Sequence, residues 1–411
     1  MHILYIHQYF KTPEEGGAIR SYYLAKGLVE AGHKVTMLTA HNELTYKKML
    51  VDGIYVHYLP VPYSQNLSKW QRIRSFLWFI WHACNKAPLF KSVDRVYATS
   101  TPLTVGVVAL YFRWRHRLPY LFEVRDLWPE APIQMGLFRN RWLRRYLQSW
   151  EKRIYRHAQA LVALSPEIER HIRRIVPQKP IYQIPNMSDC QFFRKSERNI
   201  YHEVQFGVED KFVVTYFGAM GKVNHLEYIL AAAEACQDKG LSGVQFLLVG
   251  QGSELSDLKE QVAKRNIDNI SFVDHQNKYG LLSVLNATDA VYISFDDHPV
   301  LQSNSPNKFF DALAAGKMCI TNTPGWIAQL VEENHCGFYT PPKRPEQFVA
   351  QIAPFVTDRS LLDTCQSNAR SLAEREFSKE KQIEILRSAM EEANQPASAR
   401  PEAAKAYTLL V

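Results

Sequence analysis

Lys222 and Lys308 are the residues of this 411-residue chain whose type and setting best suit chemistry at a phosphate. Lys222 closes the run Gly218-Ala-Met-Gly221-Lys222, which follows the apolar stretch Phe212–Phe217. A short glycine turn leaves backbone amides open to an anion, and the lysine adds a point charge. The run lacks both the Walker spacing and the full Gly-x-Gly-x-x-Gly fingerprint, so it suits a diphosphate held by amides and one cation. Lys308 stands in Ser305-Pro306-Asn307-Lys308, just ahead of an apolar-periodic stretch. A Ser or Asn cap with proline in the first turn marks a helix start, whose free amides attract an anion. Gly16-Gly17 repeats the pattern near the N-terminus. It reads equally as an anion-binding turn and as an ordinary tight connection between strand and helix.

Other candidates carry a plain alternative beside the chemical one. Gly250-Gln-Gly252 is followed by Glu254, an acid that the dipole of a following helix would explain as well as a ligand would. Asp296-Asp297 resembles half of a metal site, but a structural loop accounts for it more simply. Asp274 and His275 follow a short apolar run; His275 has no partner at metal-ligand spacing. Arg125-Asp126 follows the apolar run Tyr120–Glu123.

These residues need a scaffold that presents strand ends. Ile3–Ile6, Lys34–Thr39, Arg95–Ala98, Tyr120–Glu123 and Ala160–Ala163 read as strands separated by helical patterns such as Ala18–Ala31. The pattern restarts after Pro185 with strands at Phe212–Phe217, Gln245–Val249, Ser271–Val273, Ala290–Ile293 and Met318–Thr321. Helices are expected over Leu226–Cys236, from near Ser253, and over Phe309–Ala315. Strands alternating with helices imply parallel sheets. The predicted organisation is an N-terminal domain over 1–190, a C-terminal domain over 191–376, a helix over 377–393 returning to the first domain, and a flexible tail over 394–411.

Composition narrows the function. No apolar run reaches the length of a membrane span, and MHILYIHQYF reads as a first strand rather than a signal peptide. The six cysteines are scattered without a Cys-x-x-Cys pair, which fits neither a disulfide framework nor a zinc site and suits a reducing cytoplasm. The net charge of +8 is uneven: residues 1–185 hold 27 Lys and Arg against 12 Asp and Glu. Residues 69–91 contain five basic groups, three tryptophans and no acid. Residues 113–117 repeat the mixture, and Arg139–Arg156 adds seven more basic groups. Cations interleaved with Trp and Phe suit an anionic membrane surface. A buried core helix with solvated flanks is the alternative, and no nucleic-acid module appears.

Six local motifs, in order, resemble glycosyltransferase family four, whose members have the GT-B fold of two facing Rossmann-like domains. They are Gly16-Gly17-Ala18-Ile19-Arg20, Phe122-Glu-Val-Arg-Asp-Leu-Trp-Pro129, Ile184-Pro185-Asn186, Tyr216-Phe-Gly-Ala-Met-Gly-Lys222, Val249-Gly-Gln-Gly-Ser-Glu254, and Ser305 to Lys317. The Asp-Leu-Trp-Pro stretch looks most like bacterial members that build lipid-linked surface polysaccharides, lipopolysaccharide among them.

The resemblance implies a retaining, metal-independent enzyme moving a hexosyl or N-acetylhexosaminyl group from a nucleoside-diphosphate donor, UDP foremost, without a further cofactor. It implies that Gly16, Gly17, Gly218, Gly221, Gly250, Gly252, Glu254, Asp274, Ser305, Pro306 and Asp311 surround the donor. Asp311 would accept hydrogen bonds from the ribose, and Lys222 and Lys308 would hold the diphosphate. Arg125 or Asp126 would replace a histidine that touches the donor sugar. Two features depart from the family: Ala219 fills an arginine position, and Ser303 stands eight residues before Asp311 where a glutamate is usual. Backbone amides of the 302–305 loop would then contact the sugar. The acceptor would be polyprenyl-diphosphate-linked or another glycan, at the inner face of the cytoplasmic membrane. A nucleotide-sugar 2-epimerase and a non-catalytic binding protein are the competing expectations.

Overall fold

The structure is a computed structural model that describes residues 1–15, 19–64, 67–138 and 140–392. Two compact units divide the chain. The first comprises residues 1–185 together with the segment from Glu380 on, and the second comprises 186–379. Each is built around its own mainly parallel sheet, as the alternating pattern predicts.

The first unit contains β1 (His2–Ile6), α1 (Arg20–Glu30), β2 (Lys34–His41), β3 (Lys47–Val51), β4 (Ile54–Pro60), α2 (Lys69–Lys86), β5 (Arg95–Thr99), α3 (Thr104–His116), β6 (Tyr120–Val124), α4 (Glu130–Gln134), α5 (Arg141–His157), β7 (Ala160–Ala163), α6 (Pro166–Ile175) and β8 (Ile181–Gln183). Its strand order is β3-β4-β2-β1-β5-β6-β7-β8. The central strands read as unbroken apolar runs because helices cover both faces; Ile3 to Ile6 and Arg95 to Thr99 are all buried. The β3–β4 hairpin is the departure from expectation. Asp52 and Gly53, at φ 48° and 82°, turn it, and β3 pairs antiparallel at the sheet edge. As an edge strand, β3 exposes Met49 and Leu50 and buries no face, so it carries no apolar periodicity.

The second unit contains α7 (Ile200–Phe206), β9 (Phe212–Ala219), α8 (Glu227–Asp238), β10 (Val244–Gln251), α9 (Leu255–Lys264), β11 (Ile270–Val273), α10 (Lys278–Asn286), β12 (Ala290–Ile293), α11 (Asn307–Ala314), β13 (Met318–Thr321), α12 (Trp326–Glu333), β14 (Gly337–Tyr339), α13 (Pro345–Thr357) and α14 (Arg359–Leu372). Its order, β11-β10-β9-β12-β13-β14, is that of a doubly wound nucleotide-binding sheet. The chain direction of the winding reverses between β9 and β12. In the first unit it reverses between β1 and β5.

The last helix, α15 (Lys379–Glu392), packs within the first unit from Glu380 on. A Cβ on Gly27 of α1 would lie 2.4 Å from Ile383 Cγ2, so the glycine is what lets the two helices meet. Arg95 Nη1 donates to the carbonyl of Met390 at 2.6 Å.

α3 packs against both α2 and α5. This layer leaves Trp70, Leu77, Trp78 and Trp81 of α2, Trp114 of α3, and Trp142 and Tyr146 of α5 exposed. Arg74 lies 4.5 Å from the ring of Trp78, and Arg141 and Arg145 flank that of Trp142 at 5.6 and 5.7 Å. Ser75, Phe79 and Ala83 form the buried stripe of α2. The segment 76–83 is thus half core and half exposed aromatic surface. No helix among the described residues is long and apolar enough to cross a membrane.

Candidate active site

In open α/β sheets ligands bind beyond the carboxyl ends of the strands, where the winding reverses. In the second unit that place lies past Ala219 of β9 and Ile293 of β12. Gly218 has φ 131°, a conformation that only glycine adopts freely. A Cβ there would be 3.6 Å from Lys308 Nζ, so the missing side chain keeps the strand end open beside the ammonium. The ammonium lies 3.9 Å from the centre of the Tyr216 ring and 5.6 Å from that of Phe295, just after β12. It makes no hydrogen bond or ion pair among the described residues. Burial lowers its pKa to about 7, because its ring neighbours replace little of the hydration of a full charge.

Asp311 stands one turn further along α11. Its carboxylate is likewise without a hydrogen-bond or ion-pair partner among the described residues. Burial pushes it up to about 7; Lys278 works against that shift and Asp189 adds to it. Three residues apart at the start of α11, the two groups are each without a partner among the described residues, the ammonium against Tyr216 and Phe295 and the carboxyl in the field of Lys278 and Asp189.

The remaining predicted residues of this unit divide by role. Lys222 is exposed and heads the short turn Lys222–Asn224, with Gly221 before it in extended conformation. That loop is pinned from beneath: Tyr216 Oη and Asn224 Nδ2 both donate to the carbonyl of Ala219, at 2.6 and 2.8 Å, and Ser294 Oγ donates to that of Asn224. Gly250 and Gly252 have a structural explanation. A Cβ on either would lie 2.0 or 2.1 Å from the carbonyl oxygen of Gly218 or Met220, and Met220 N donates to Gln251 O across the gap.

Ser305 is also engaged: its Oγ accepts from Asn186 N at 3.0 Å and its carbonyl from Asn186 Nδ2 at 2.5 Å. Pro306 caps α11. Ser303 is buried and its hydroxyl donates to Val300 O at 2.7 Å. Glu254 caps α9 without a side-chain bond to that helix, and Asp274 is exposed. Asp296 faces His225 and His298 at 3.6 and 3.2 Å, while Asp297 faces Lys343 at 3.2 Å.

The first unit assembles its own cluster where its winding reverses. Asp126 Oδ2 accepts from Thr101 Oγ1 at 2.8 Å, and Arg125 N donates to Ser100 Oγ at 2.9 Å. Arg125 Nη1 approaches His7 Nε2 at 3.5 Å, and His7 Nδ1 meets Ser21 Oγ at 2.8 Å. Burial and then the Arg125 charge hold His7 well below the ordinary histidine range, so it is neutral. Gln8 is buried beside it with both amide atoms unpartnered among the described residues. The sequence reading passed over His7 and Gln8. Their signal is two polar residues directly after the first buried strand, where the winding reverses. Gly16 and Gly17 lie outside the described residues.

Beneath this cluster, Arg20 and Glu123 form a buried ion pair at 2.7 Å. Arg20 also donates to the carbonyls of Ile184 and Pro185 at 2.7 and 2.5 Å. Burial pushes the Glu123 carboxyl up, but Arg20 and Arg125 overcome it and leave it below its ordinary range. One guanidinium therefore ties together three of the sequence motifs, those around Arg20, Glu123 and Pro185.

Two doubly wound, mainly parallel sheets define a protein of GT-B fold. The comparisons agree. The family described as "Glycosyl transferase 4-like domain" matches residues 15–187, and "Glycosyl transferases group 1" matches residues 197–372. An α-D-kanosaminyltransferase of Streptomyces kanamyceticus is 19% identical over 56% of this chain, an alignment that spans 59% of that protein. Among solved structures, a sucrose-phosphate synthase from Thermosynechococcus elongatus superposes with a TM-score of 0.75 at 18% identity, over 95% of this chain and 98% of that one. Anabaena HepE in complex with UDP and glucose gives 0.69 at 19% identity, over 95% and 99%. WaaG, a glycosyltransferase involved in lipopolysaccharide biosynthesis, gives 0.65 at 15% identity, over 94% and 99%. The chain belongs to the family-four-like glycosyltransferases of GT-B fold.

Proposed function

We propose that this glycosyltransferase moves a sugar, an N-acetylated amino sugar being one candidate, from a UDP-linked donor to a lipid-linked glycan, with retention of anomeric configuration. The observation that carries the donor half is that Lys308 and Asp311, on α11 at the switch point of the second sheet, have no hydrogen-bond or ion-pair partner among the described residues. A nucleoside diphosphate supplies what both groups lack: phosphate oxygens for the ammonium and ribose hydroxyls for the carboxylate. HepE bound to UDP and glucose, and the amino-sugar transferase from Streptomyces, support the donor class.

As the bond from the sugar to phosphate loosens, negative charge grows on the leaving diphosphate. Lys308, Lys222 and the amides at the start of α11 offset it in place of a divalent metal. The acceptor hydroxyl attacks from the face the phosphate leaves and gives its proton to the departing phosphate oxygen. The protein acts by positioning and by electrostatic stabilisation of the leaving group. Arg125 or Asp126 orients the donor sugar.

The acceptor half rests on the exposed Trp and Tyr of α2, α3 and α5 among basic side chains. Such a layer suits peripheral attachment to an anionic membrane, and the lipopolysaccharide role of WaaG supports a membrane-borne acceptor. The test is an assay for glycolipid formation on isolated membranes with a panel of radiolabelled nucleotide sugars. Label entering the lipid fraction supports transfer. Conversion of the donor to its 2-epimer without transfer refutes it, as does binding without turnover.

A further inference from the structure

A cavity of about 260 Å³ opens in the second unit, away from the residues discussed so far. α7 contributes His202 to its lining, α10 contributes Leu282 and Leu285, and the segment before α7 contributes Phe192 and Arg194. Lys317 completes it, immediately before β13. Lys308 lies at the carboxyl ends of the strands, whereas Lys317 lies at the amino end of one. The four residues of β13 span about 13 Å at the usual rise, so the two lysines occupy opposite edges of the sheet.

Lys317 is 5% exposed, and its ammonium makes no hydrogen bond or ion pair among the described residues. The acid that most influences it is Asp289. Both oxygens of that carboxylate are already taken: Oδ2 accepts from Arg198 at 2.6 Å and from Val213 N at 2.9 Å, and Oδ1 accepts from Arg359 at 3.0 Å. Lys317 is thus a cation in excess of its neighbourhood. The described lining contains Arg194 and His202 as well, and no Asp or Glu. A buried charge without a partner is costly, and proteins keep such groups where a ligand completes them.

We propose that this cavity is a second ligand site, taking a small organic anion whose phosphate or carboxylate meets Lys317 and Arg194 while an apolar body rests on Phe192, Leu282 and Leu285. The site is separate from that of the donor. It is joined to it through α11, which carries Lys308 in its first turn and ends at Ala314, three residues before Lys317.

Phenyl phosphate carries both features and is the probe. It is titrated into the full chain by ligand-observed NMR and calorimetry, with and without saturating UDP, with inorganic phosphate as a parallel arm. Binding is expected to persist under UDP and in Lys308→Met, to weaken at least about tenfold in Lys317→Met, and to be weaker for inorganic phosphate. Arg194→Glu, at an exposed side chain that leaves the fold intact, is expected to weaken it several-fold should Lys317→Met fail to fold. Four results would overturn the proposal: no binding, displacement by UDP, loss in Lys308→Met, or unchanged affinity in Arg194→Glu. Inorganic phosphate binding as tightly as phenyl phosphate would remove the apolar half of the assignment. UDP affinity is read in the same titrations, so failure of the donor site is seen independently.

Discussion

Lys308 ties the donor proposal to a proton. In the free protein burial lowers its pKa to about 7. Bound to a diphosphate, it regains an anionic partner and moves back toward the ordinary lysine value of about 10.4. The sign follows directly. Below pH 7 the amine is charged in both states and binding is indifferent to its proton. Between pH 7 and the bound value the free amine is neutral and the bound one charged, so binding takes up a proton and weakens as pH rises. At pH 8 about one free molecule in eleven is charged, so uptake is about 0.9 proton per UDP from this group. From pH 7 to pH 8.5 the charged fraction falls from about one half to one in thirty, and this group alone raises Kd for UDP about fifteen-fold. The phosphate itself, with its last pKa near 6, is nearly constant over that range.

Calorimetry at pH 8 in two buffers of different ionisation enthalpy measures the uptake, and titration across pH 7–8.5 gives the slope. Lys308→Met is expected to abolish the slope and lower the uptake to near zero while the fold persists, since the replacement keeps the apolar stem against Tyr216. Wild-type Kd independent of pH, or a Lys308→Met protein retaining the full slope, would refute the assignment of this lysine to the diphosphate. Asp311 predicts the opposite limb. Its pKa of about 7 makes it a neutral acid below that pH, so the ribose contact as a carboxylate weakens as pH falls from 7.

Further outcomes follow from the same geometry. Lys308→Ala and Lys222→Ala should each lower turnover by roughly 10²–10³ with little loss of stability, and Asp311→Ala should raise Kd for the nucleotide instead; steady-state kinetics separate the two, and activity abolished by added chelator would count against a metal-free clamp. Gly250→Ala and Gly252→Ala place a Cβ about 2 Å from a carbonyl and should destabilise the second unit by about 3 kcal/mol or more, whereas Gly221→Ala, with open space around its Cβ, should melt like the wild type. Arg20→Ala leaves Glu123 buried and unpaired and should cost about 3–5 kcal/mol in urea denaturation; Arg20→Ala with Glu123→Gln should recover part of it. Replacing Trp70, Trp78 and Trp81 by Ser, or Lys69, Arg72 and Arg74 by Glu, should reduce co-sedimentation with anionic vesicles, and wild-type binding should weaken with salt; equal binding by all three proteins would return the patch to a purely structural role.

The strands buried on both faces were legible because burial on both faces writes itself as a continuous apolar run. Ala160–Ala163, Ala290–Ile293 and Met318–Thr321 match the observed strands end for end. β3 was not legible from pattern, since an edge strand with Lys47, Lys48 and an exposed Leu50 has no inner face to mark. Its signal was the Asp52-Gly53 dipeptide, which favours the turn that joins it to β4. β8 and β14, three residues each, are too short to show a period. His7 escaped notice for a different reason: its environment is made by Arg125 and Ser21, which are distant in sequence and meet it only in the folded sheet.

Sequence spacing does not show which motif residues the protein itself engages, and hydrogen bonding does. Gly250, Gly252, Ser305 and Arg20 all stand in family-like motifs, yet each is occupied by the protein itself: the glycines by close backbone approach, Ser305 by Asn186, Arg20 by Glu123 and two carbonyls. Lys308 and Asp311 stand in the same kind of motif and have no hydrogen-bond or ion-pair partner among the described residues. A folded chain gains nothing from a half-buried lysine unless something else completes it, because burial penalises the charge whether or not a ligand is present. Between pH 7 and the ordinary lysine value the unfolded chain binds the proton more tightly, so this residue lowers stability most where it is fully charged, below pH 7. A ligand that restores its charge removes that cost and adds its own binding energy, about 2.7 kcal/mol at a hundred times its dissociation constant. The same accounting sets Lys317 apart from Arg198 and Arg359, which share Asp289 between them. The half-buried Lys308 and the buried Lys317, at opposite edges of one sheet and each without an ion-pair partner among the described residues, are the two places where we propose a bound anion.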